Sequence, residues 1–512
     1  MMDIILKKKI GQMMMCGFAS PYFDEKAKRL VDELFIGNFV LFSRNIRDKE
    51  TTLRLCAELG YHAHIKLGKQ PFISIDEECG MVRRLHGVTT PFPGCLAVAA
   101  AGDASLAGQM GEMLGKELID VGINMDFAPD IDVNVNPDNP VIGMRSYGDK
   151  PENVASFGIS MAEGLRKSGV VPVFKHFPGH GDTAVDSHFG IPSIDHSMER
   201  LNRIELYPFK KALLNGAECF MVSHLLFRSI DPENPATLSY KVIRDFLKTK
   251  LGFNGIAISD CMEMAAITKN CNIGEACVRA VLSGIDIVLV SHTYEAQEEA
   301  SEAIYRAVQE GRISMGIIDS ALERIDRSKR GLPGLNFKPV YDHVKHNEFA
   351  RNLYRRSITL ADGTIPAIHS DTCVCLGVKA FQGTPAEDIP SPELDFSHIV
   401  SKSLHCDSIS FDKDIDDKNI DELVRRAENK DLIILGIGDA HRFLNQRKLY
   451  NRLLERKKRM IVVSLRMPYD LAGLLKPTAH LCTYEYTFMA IEALCLVMKG
   501  ELNPTGVLPL KI

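Results

Sequence analysis

The stretch Val171-Pro172-Val173-Phe174-Lys175-His176-Phe177-Pro178-Gly179-His180-Gly181-Asp182 joins a clear strand pattern to the most polar turn of this sequence. Its residues up to Phe177 are apolar except for one Lys and one His, which is typical of a parallel strand buried on both faces. Pro178, Gly179 and Gly181 then prevent a helix and permit a tight loop. A buried strand that runs directly into a polar loop indicates a sheet whose chemical groups lie at the carboxyl ends of its strands.

Seven more apolar runs of strand length precede residue 330. With the run above, they occupy 12–18, 39–44, 71–76, 123–129, 171–178, 218–224, 255–260 and 286–291. The intervals carry helical patterns, and one face of 104–121 repeats an apolar residue every four positions, at Leu106, Met110, Leu114 and Leu118. Eight strand–helix alternations predict an α/β fold with an N-terminal (β/α)8 TIM-type barrel. A doubly wound open sheet is the alternative, which is disfavoured because no Gly-x-Gly-x-x-Gly follows an early strand.

Polar residues follow these runs where the strands are predicted to end. They are Asp76, Asp126, Lys175, His176, His224, Asp260 and His292. Because barrel enzymes carry their catalytic groups at the carboxyl ends of the strands, the recurrence of His and Asp there predicts an active site. His224 remains without an assigned role, because a hydrogen-bonded structural histidine explains it equally well.

The composition is that of a globular protein of 512 residues, with 45% hydrophobic and 25% charged residues. Its 61 Lys and Arg against 66 Asp and Glu give a net charge of −5, which argues against a nucleic-acid partner or a polybasic membrane anchor. The 13 Cys are scattered, as expected of reduced thiols, and the apolar stretch near the N-terminus is too short for a secretory signal or a membrane span. We therefore expect a cytoplasmic protein, whose oligomeric state the composition leaves open.

A segment at 331–346 that contains Gly and Pro predicts a boundary between two domains. We predict the barrel over 1–335, a linker and helix over 336–365, and a smaller doubly wound α/β domain over 366–512. The strand patterns of this second domain lie at 372–378, 431–437 and 460–465. No motif in the second domain indicates chemistry.

The segment 175–188 concentrates three His, two Asp and one Lys. Two chemistries could use it. One is hydrolysis by a metal-activated water with four ligands, His176, His180, Asp182 and His188. The other is metal-free acid–base catalysis, in which Asp186 orients and charges His188. Lys175 disfavours the metal because a fixed cation repels a dication, so we predict neither a metal nor a cofactor.

Three further carboxylates follow the fourth predicted strand, at Asp126, Asp130 and Asp132. Such a group could hold a divalent ion. Pro129 and Pro137 indicate a long irregular loop in this part of the chain, however. We therefore interpret the three carboxylates as caps of loop backbone rather than as metal ligands.

The run from Lys175 to Gly181 resembles the Lys-His-Phe-Pro-Gly-His-Gly signature of family 3 glycoside hydrolases, and Asp186-Ser187-His188 resembles a feature of their β-N-acetylglucosaminidase branch. The likeness extends over most of the first 330 residues and includes the chain ending typical of two-domain members. Further matching motifs lie at 75–80, 139–148, 235–239, 258–264 and 504–509. Substrate fit is put in question by three departures, in which Gly, Arg and Asp or Ala are replaced by Cys79, Met81 and Cys261 respectively.

The resemblance implies a retaining exo-β-N-acetylglucosaminidase that releases terminal N-acetylglucosamine from cell-wall muropeptide fragments. It implies that Asp260 is the nucleophile of a glycosyl-enzyme intermediate, and that His188, paired with Asp186, is the general acid and base. Other matched positions would hold the sugar, namely Asp76, Arg84, Arg145, Lys175 and His176. The partner is then a small carbohydrate, and the absence of Trp agrees with a small pocket for one terminal sugar.

A histidine suits the acid–base role because an imidazole titrates near pH 6.5 and needs no burial to hold its proton. A neutral imidazole also repels an incoming anion less than a carboxylate does, so phosphate could replace water as the acceptor. The alternatives are therefore a β-N-acetylglucosaminide phosphorylase, a family 3 β-glucosidase, a metal-dependent hydrolase and a sugar-binding protein without turnover.

Overall fold

The computed structural model describes residues 2–183 and 191–512, which form two hydrophobic cores around parallel strands. The first core extends to Leu353 and the second begins at Tyr354. The strands of the first part are β1 Met14–Cys16, β2 Asn38–Leu41, β3 Phe72–Ile75, β4 Glu77–Cys79, β5 Val82–Arg83, β6 Met125–Asp126, β7 Val171–Pro172, β8 Phe174–Phe177, β9 Ser193–Ile194, β10 Cys219–Val222, β11 Leu226–Phe227, β12 Ile256–Ser259 and β13 Val288–Val290.

Each of the eight predicted runs contains a strand, and these strands form two parallel sheets. One sheet has the order β13-β1-β2-β3-β6-β7 and the other has the order β12-β10-β8. Only Val173 separates β7 from β8 in the chain, and an isolated parallel bridge joins Ile258 to Ile287. These links keep the strands in the cyclic order of the sequence, with regular hydrogen bonding confined to the two sheets.

Helices fill the intervals between these strands. Their bounds are α1 Met2–Gln12, α2 Glu25–Asp32, α3 Lys49–Leu67, α4 Cys95–Ala100, α5 Ala104–Asp120, α6 Pro151–Lys167, α7 Met198–Arg203, α8 Leu206–Leu214, α9 Ala265–Thr268, α10 Ile273–Ser283, α11 Tyr294–Gln309, α12 Met315–Lys329 and α13 His343–Ser357, with a π-helix at Lys241–Lys250. The predicted helix at 104–121 is α5, which begins where the Asp103 carboxylate accepts a hydrogen bond from the Ser105 amide. Its apolar stripe is buried, as the four-residue repeat predicts, and the helix packs against α6.

The C-terminal part is a mixed six-stranded sheet with helices α14 Phe396–Leu404, α15 Asp417–Arg426, α16 Leu444–Glu455 and α17 Phe488–Met498. Its strands are β14 Thr359–Gly363, β15 Cys373–Val378, β16 Asp407–Phe411, β17 Leu432–Ile437, β18 Arg459–Ser464 and β19 Ala479–Cys482. The order is β14-β19-β18-β17-β15-β16, in which only β14 is antiparallel. The five parallel strands follow the 2-1-3-4-5 order of doubly wound sheets. β15, β17 and β18 confirm the three predicted strands, whereas β14 lies within the segment predicted as linker and helix.

The two parts pack against each other through a third apolar cluster, which includes Leu96 and Met144 from the first part and Tyr469 and Tyr484 from the second. The buried Glu485 carboxylate accepts a hydrogen bond of 2.8 Å from the amide of Gly94, which joins the two parts further. This contact lies next to the β4–β5 hairpin and therefore brings the C-terminal part close to the ends of the first sheet. Within 2–183 and 191–512, no helix combines the length and apolar content that a membrane crossing requires.

Candidate active site

A cavity of about 610 Å³ opens at the carboxyl ends of the parallel strands of the first part. Such a volume is typical of sites for small molecules. The structure brings six of the predicted site residues to its wall, Asp76, Arg84, Arg145, Lys175, His176 and Asp260. The other two, Asp186 and His188, lie outside the described residues.

Asp260 directly follows β12 and projects into the cavity with its side chain half-buried. One of its carboxylate oxygens accepts a hydrogen bond of 2.7 Å from the Cys261 amide. Its own amide donates to the Val222 carbonyl of β10, so the strand ladder holds the backbone at this point. A hydrogen bond to the charged form favours an ionised carboxylate, which is the state that a nucleophile requires.

His224, which follows β10, supports the backbone beside Asp260 rather than lining the cavity. It is buried, with Nε2 2.9 Å from the Cys261 carbonyl and Nδ1 2.8 Å from the Thr237 hydroxyl. The neighbouring Cys261 thiol contacts the Ser291 hydroxyl, and burial raises its pKa to about 11. The departure at Cys261 therefore places a neutral thiol next to the candidate nucleophile.

Glu78, which the sequence analysis did not single out, organises the cations of the cavity. Arg145 donates two hydrogen bonds to its carboxylate, of 2.8 and 2.7 Å, and the Lys175 ammonium contacts it as well. Burial alone would raise the pKa of Glu78, but Arg145 and Lys175 hold that pKa well below its usual range. Lys175 also donates to Asp76 at 2.7 Å. The cationic side chains are thus fixed in place before a substrate arrives, which lowers the cost of ordering them on binding.

His176 is oriented by Asp132. Its Nδ1 lies 2.7 Å from the Asp132 carboxylate, which also accepts hydrogen bonds from the amides of His176 and His180. Nδ1 therefore carries the proton, and Nε2 faces the Arg145 guanidinium at 3.4 Å.

The interpretation of the three carboxylates as loop caps is confirmed. Asp126 accepts a hydrogen bond from the Glu77 amide, and Asp130 accepts one from the Asp132 amide. With the two amides held by Asp132, each carboxylate satisfies loop backbone that no strand partner reaches. Asp132 in addition acts on the site, because it sets the orientation of the His176 ring.

Two groups of described residues could bring three metal ligands together. They are Asp130 with Asp132 and His176, and Asp182 with His196 and Glu205. A guanidinium already stands in each group, since Arg145 lies 3.6 Å from Asp130 and Arg200 lies 2.7 Å from Glu205. A permanent cation at these positions disfavours a dication. The grouping also separates His176 from Asp182, which the metal hypothesis joins in one centre.

The turn after β4 accounts for one departure from the family pattern. Cys79 has a φ of 70° and the following Gly80 has a φ of 58°, so two successive residues lie in the left-handed region. Glycine adopts this region without steric cost, whereas a residue with a Cβ is strained there. The preference for Gly at this position is therefore a backbone requirement, and the buried Cys79 side chain does not line the cavity.

The far wall of the cavity comes partly from the C-terminal part, for which the sequence predicted no chemistry. Five consecutive residues of the loop between β15 and α14, from Pro385 to Ile389, line the cavity. His292, predicted at a strand end, lines the opposite rim beside Arg44. The cavity is thus shared between the two parts of the chain.

We expect the stability of the protein to fall as the pH is lowered from 7 to 5, and His180 to cause part of this loss. His180 is buried, and burial, followed by the nearby His176, lowers its pKa to about 4. An unfolded histidine titrates near 6.5, so between these values the unfolded chain takes up a proton that the folded chain excludes, which costs about 2 kcal/mol at pH 5. Chemical denaturation at pH 7 and pH 5 measures the difference.

The matched variants are His180→Gln and His64→Gln, the second being an exposed position on α3. The His180 variant should lose less stability on acidification than the wild type by about the same amount, and the His64 variant should behave as the wild type does. Equal losses in all three proteins would contradict the assignment.

Comparison with known proteins identifies related sequences and one solved structure of the same length. Residues 5–328 match the glycosyl hydrolase family 3 N-terminal domain. Beta-hexosaminidase A of Pseudoalteromonas piscicida is 30% identical over 342 residues, which are 62% of this chain and 57% of that protein. Beta-hexosaminidase LpqI of Mycobacterium tuberculosis is 33% identical over 288 residues, which are 54% of this chain and 73% of that protein.

The chain spans a little over half the length of the Pseudoalteromonas protein. The solved structure is that of a glycoside hydrolase family 3 beta-N-acetylglucosaminidase from Paenibacillus sp. str. FPU-7. It is 34% identical and superimposes with a TM-score of 0.90 over 99% of this chain and 98% of that chain. The likeness therefore covers both parts of the chain, including the loop that lines the cavity.

Proposed function

The chain belongs to glycosyl hydrolase family 3, and from this membership we propose that it is a retaining exo-β-N-acetylglucosaminidase that hydrolyses terminal β-linked N-acetylglucosamine. The observation that carries the proposal is the position of Asp260, at the wall of a cavity that also holds Asp76, Lys175 and Arg145. A single carboxylate beside a fixed set of donors suits one bound sugar. The names of the relatives and of the Paenibacillus structure support the N-acetylglucosamine specificity.

The mechanism we propose has two steps. Asp260 attacks the anomeric carbon while His188 gives its proton to the glycosidic oxygen, so the C–O bond breaks and a glycosyl ester forms on Asp260. His188 then takes a proton from water, whose oxygen attacks the same carbon and releases Asp260. Asp186 would hold the imidazole and stabilise its charged form. Asp76, Arg84, Arg145, Lys175 and His176 would hold the hydroxyl groups of the sugar.

We further propose that the first part closes as a (β/α)8 barrel over 1–335, followed by a linker and helix over 336–365 and a second domain over 366–512. The cyclic strand order of the two parallel sheets and the separate hydrophobic cores support this division. A cytoplasmic role in recycling cell-wall muropeptides is part of the proposal. The 13 cysteines, all free thiols, are compatible with a reducing compartment.

One assay tests this function and its alternatives. The purified protein is given β-N-acetylglucosaminides and β-glucosides of the same aglycone, with and without inorganic phosphate. We expect release of free N-acetylglucosamine that phosphate does not accelerate, with a preference of at least about 100-fold in kcat/KM over the glucoside, or about 2.7 kcal/mol. A sugar 1-phosphate as the main product would indicate a phosphorylase, and a preference for the glucoside would indicate a β-glucosidase.

The same assay after exhaustive chelation addresses the metal hypothesis. We expect full activity to remain, because guanidinium groups stand within both candidate ligand groups of the described residues. Loss of activity that zinc alone restores would overturn the metal-free mechanism. Binding of N-acetylglucosamine without release from any glycoside would instead indicate a sugar-binding protein.

A further inference from the structure

The loop 379–395 carries the C-terminal part to the wall of the cavity, and one buried arginine holds it there. The Arg466 guanidinium donates hydrogen bonds of 3.0 and 2.5 Å to Glu387 and one of 2.8 Å to Asp439. Glu387 also accepts a hydrogen bond from the Gly383 amide, and Arg466 is 2% exposed. A buried guanidinium with two carboxylate partners fixes the loop to its own sheet. The next residue, Asp388, is therefore presented to the first part in a defined position.

Asp388 makes five polar contacts with the first part of the chain. One carboxylate oxygen accepts hydrogen bonds from Arg84 at 2.7 Å and from the Ser43 hydroxyl at 3.1 Å. The other accepts one of 2.8 Å from the Arg83 amide and lies 3.4 Å from His86 Nε2. The Asp388 amide donates to the Met81 carbonyl. These partners belong to the ends of β2 and of the β4–β5 hairpin, both of which border the cavity.

Arg84 receives its conformation from this loop. Its guanidinium donates to Asp388 and, at 2.7 Å, to the Ala386 carbonyl, while its amide donates to Glu77. The side chain is 12% exposed and lines the cavity. An arginine side chain loses about 2 kcal/mol of rotamer entropy when it is ordered, so a site that orders it in advance binds its ligand more tightly.

We propose that Asp388 is a positioning residue for sugar binding, which acts by holding Arg84 against the cavity from the C-terminal part of the chain. The inference rests on the proposed function in one respect, namely that Arg84 contacts the bound sugar. It assigns to the C-terminal part a share in substrate affinity, and it predicts that this share is transmitted through a single ion pair.

The test is the kinetics of Asp388→Asn, which keeps the shape of the side chain but removes its charge and one acceptor. We expect KM to rise by about 5- to 20-fold and kcat to change by less than about 2-fold, because ground-state and transition-state binding lose the same contact. Asp421→Asn is the control, since Asp421 lies in the same part of the chain in an exposed pair with Arg452. A thermal denaturation of each variant accompanies the kinetics. An unchanged KM in a folded Asp388 variant would overturn the proposal.

A double-mutant cycle with Arg84→Ala separates positioning from a merely structural role. If Asp388 acts through Arg84, its replacement has no further effect on KM when Arg84 is already alanine. Additive effects on KM would show that Asp388 acts by another route. The cycle uses whichever β-glycoside the wild-type protein hydrolyses, so a preference for glucosides would refute the proposed specificity while still testing Asp388. For a protein without turnover, calorimetric binding of N-acetylglucosamine replaces KM, with the same expected changes.

Discussion

Replacing Asp260 with alanine should lower kcat for the hydrolysis of β-N-acetylglucosaminides by at least about 10⁴-fold, because the variant has no group to form the covalent intermediate. The fold should persist, since the printed contacts of this half-buried side chain are confined to the adjacent Cys261 amide, and the backbone contact with Val222 does not need the carboxylate. Initial rates with an aryl N-acetylglucosaminide measure the loss, and circular dichroism with thermal denaturation measures the fold.

Added azide distinguishes a lost nucleophile from a damaged site. In a retaining mechanism, azide fits the space that the carboxylate vacates and attacks the β-glycoside directly, which gives an α-glycosyl azide and releases the aglycone. We expect this product from Asp260→Ala and not from the wild-type protein. Asp138→Ala is the matched control, because Asp138 is exposed and does not line the cavity. Near wild-type activity in a folded Asp260→Ala protein would remove Asp260 from the mechanism.

The strands and the residues that follow them could be predicted because both depend on local sequence. Each strand of the first part is a short apolar run between helical patterns, and burial on both faces leaves a near-continuous apolar signal. Asp76, Lys175 and Asp260 were found because they stand directly at the ends of such runs. Parallel strands place those ends on one side of the sheet, so the proximity of these residues follows from the topology alone.

The residues that were missed depend on contacts between distant parts of the chain. Glu78 matters because it binds Arg145, which is 67 positions away, and Asp388 matters because it binds Arg84, which is 304 positions away. Neither pair has a periodic or local signal, and each forms only after both partners are placed by separate elements. Glu78 could have been suspected from its position two residues after Asp76 in a matching motif, whereas nothing in the sequence near Asp388 distinguishes it from a surface carboxylate.

His188→Ala should lose activity in proportion to how much help the leaving group needs. For a disaccharide, whose leaving alkoxide is a strong base, we expect kcat/KM to fall by about 10³-fold, within the usual contribution of general acid catalysis. For a dinitrophenyl glycoside, whose leaving group departs without a proton, the fall in kcat/KM should be less than about 10-fold. Asp186→Asn should show the same trend to a smaller extent, because the imidazole remains but its charged form loses its partner. Steady-state kinetics on the two substrates measure both effects.

The difference between the two substrates, rather than the size of either loss, identifies proton donation. A variant that disturbs the sugar site would slow both substrates equally, because both present the same N-acetylglucosamine to Asp260 and its neighbours. His64→Ala, an exposed change on α3, provides the baseline for a histidine replacement. In the second step His188 acts as a base on water, so azide, which needs no deprotonation, should restore kcat for the dinitrophenyl substrate and give a β-glycosyl azide. Equal losses on both substrates, with no rescue by azide, would assign the acid and base to another group and leave His188 outside the reaction.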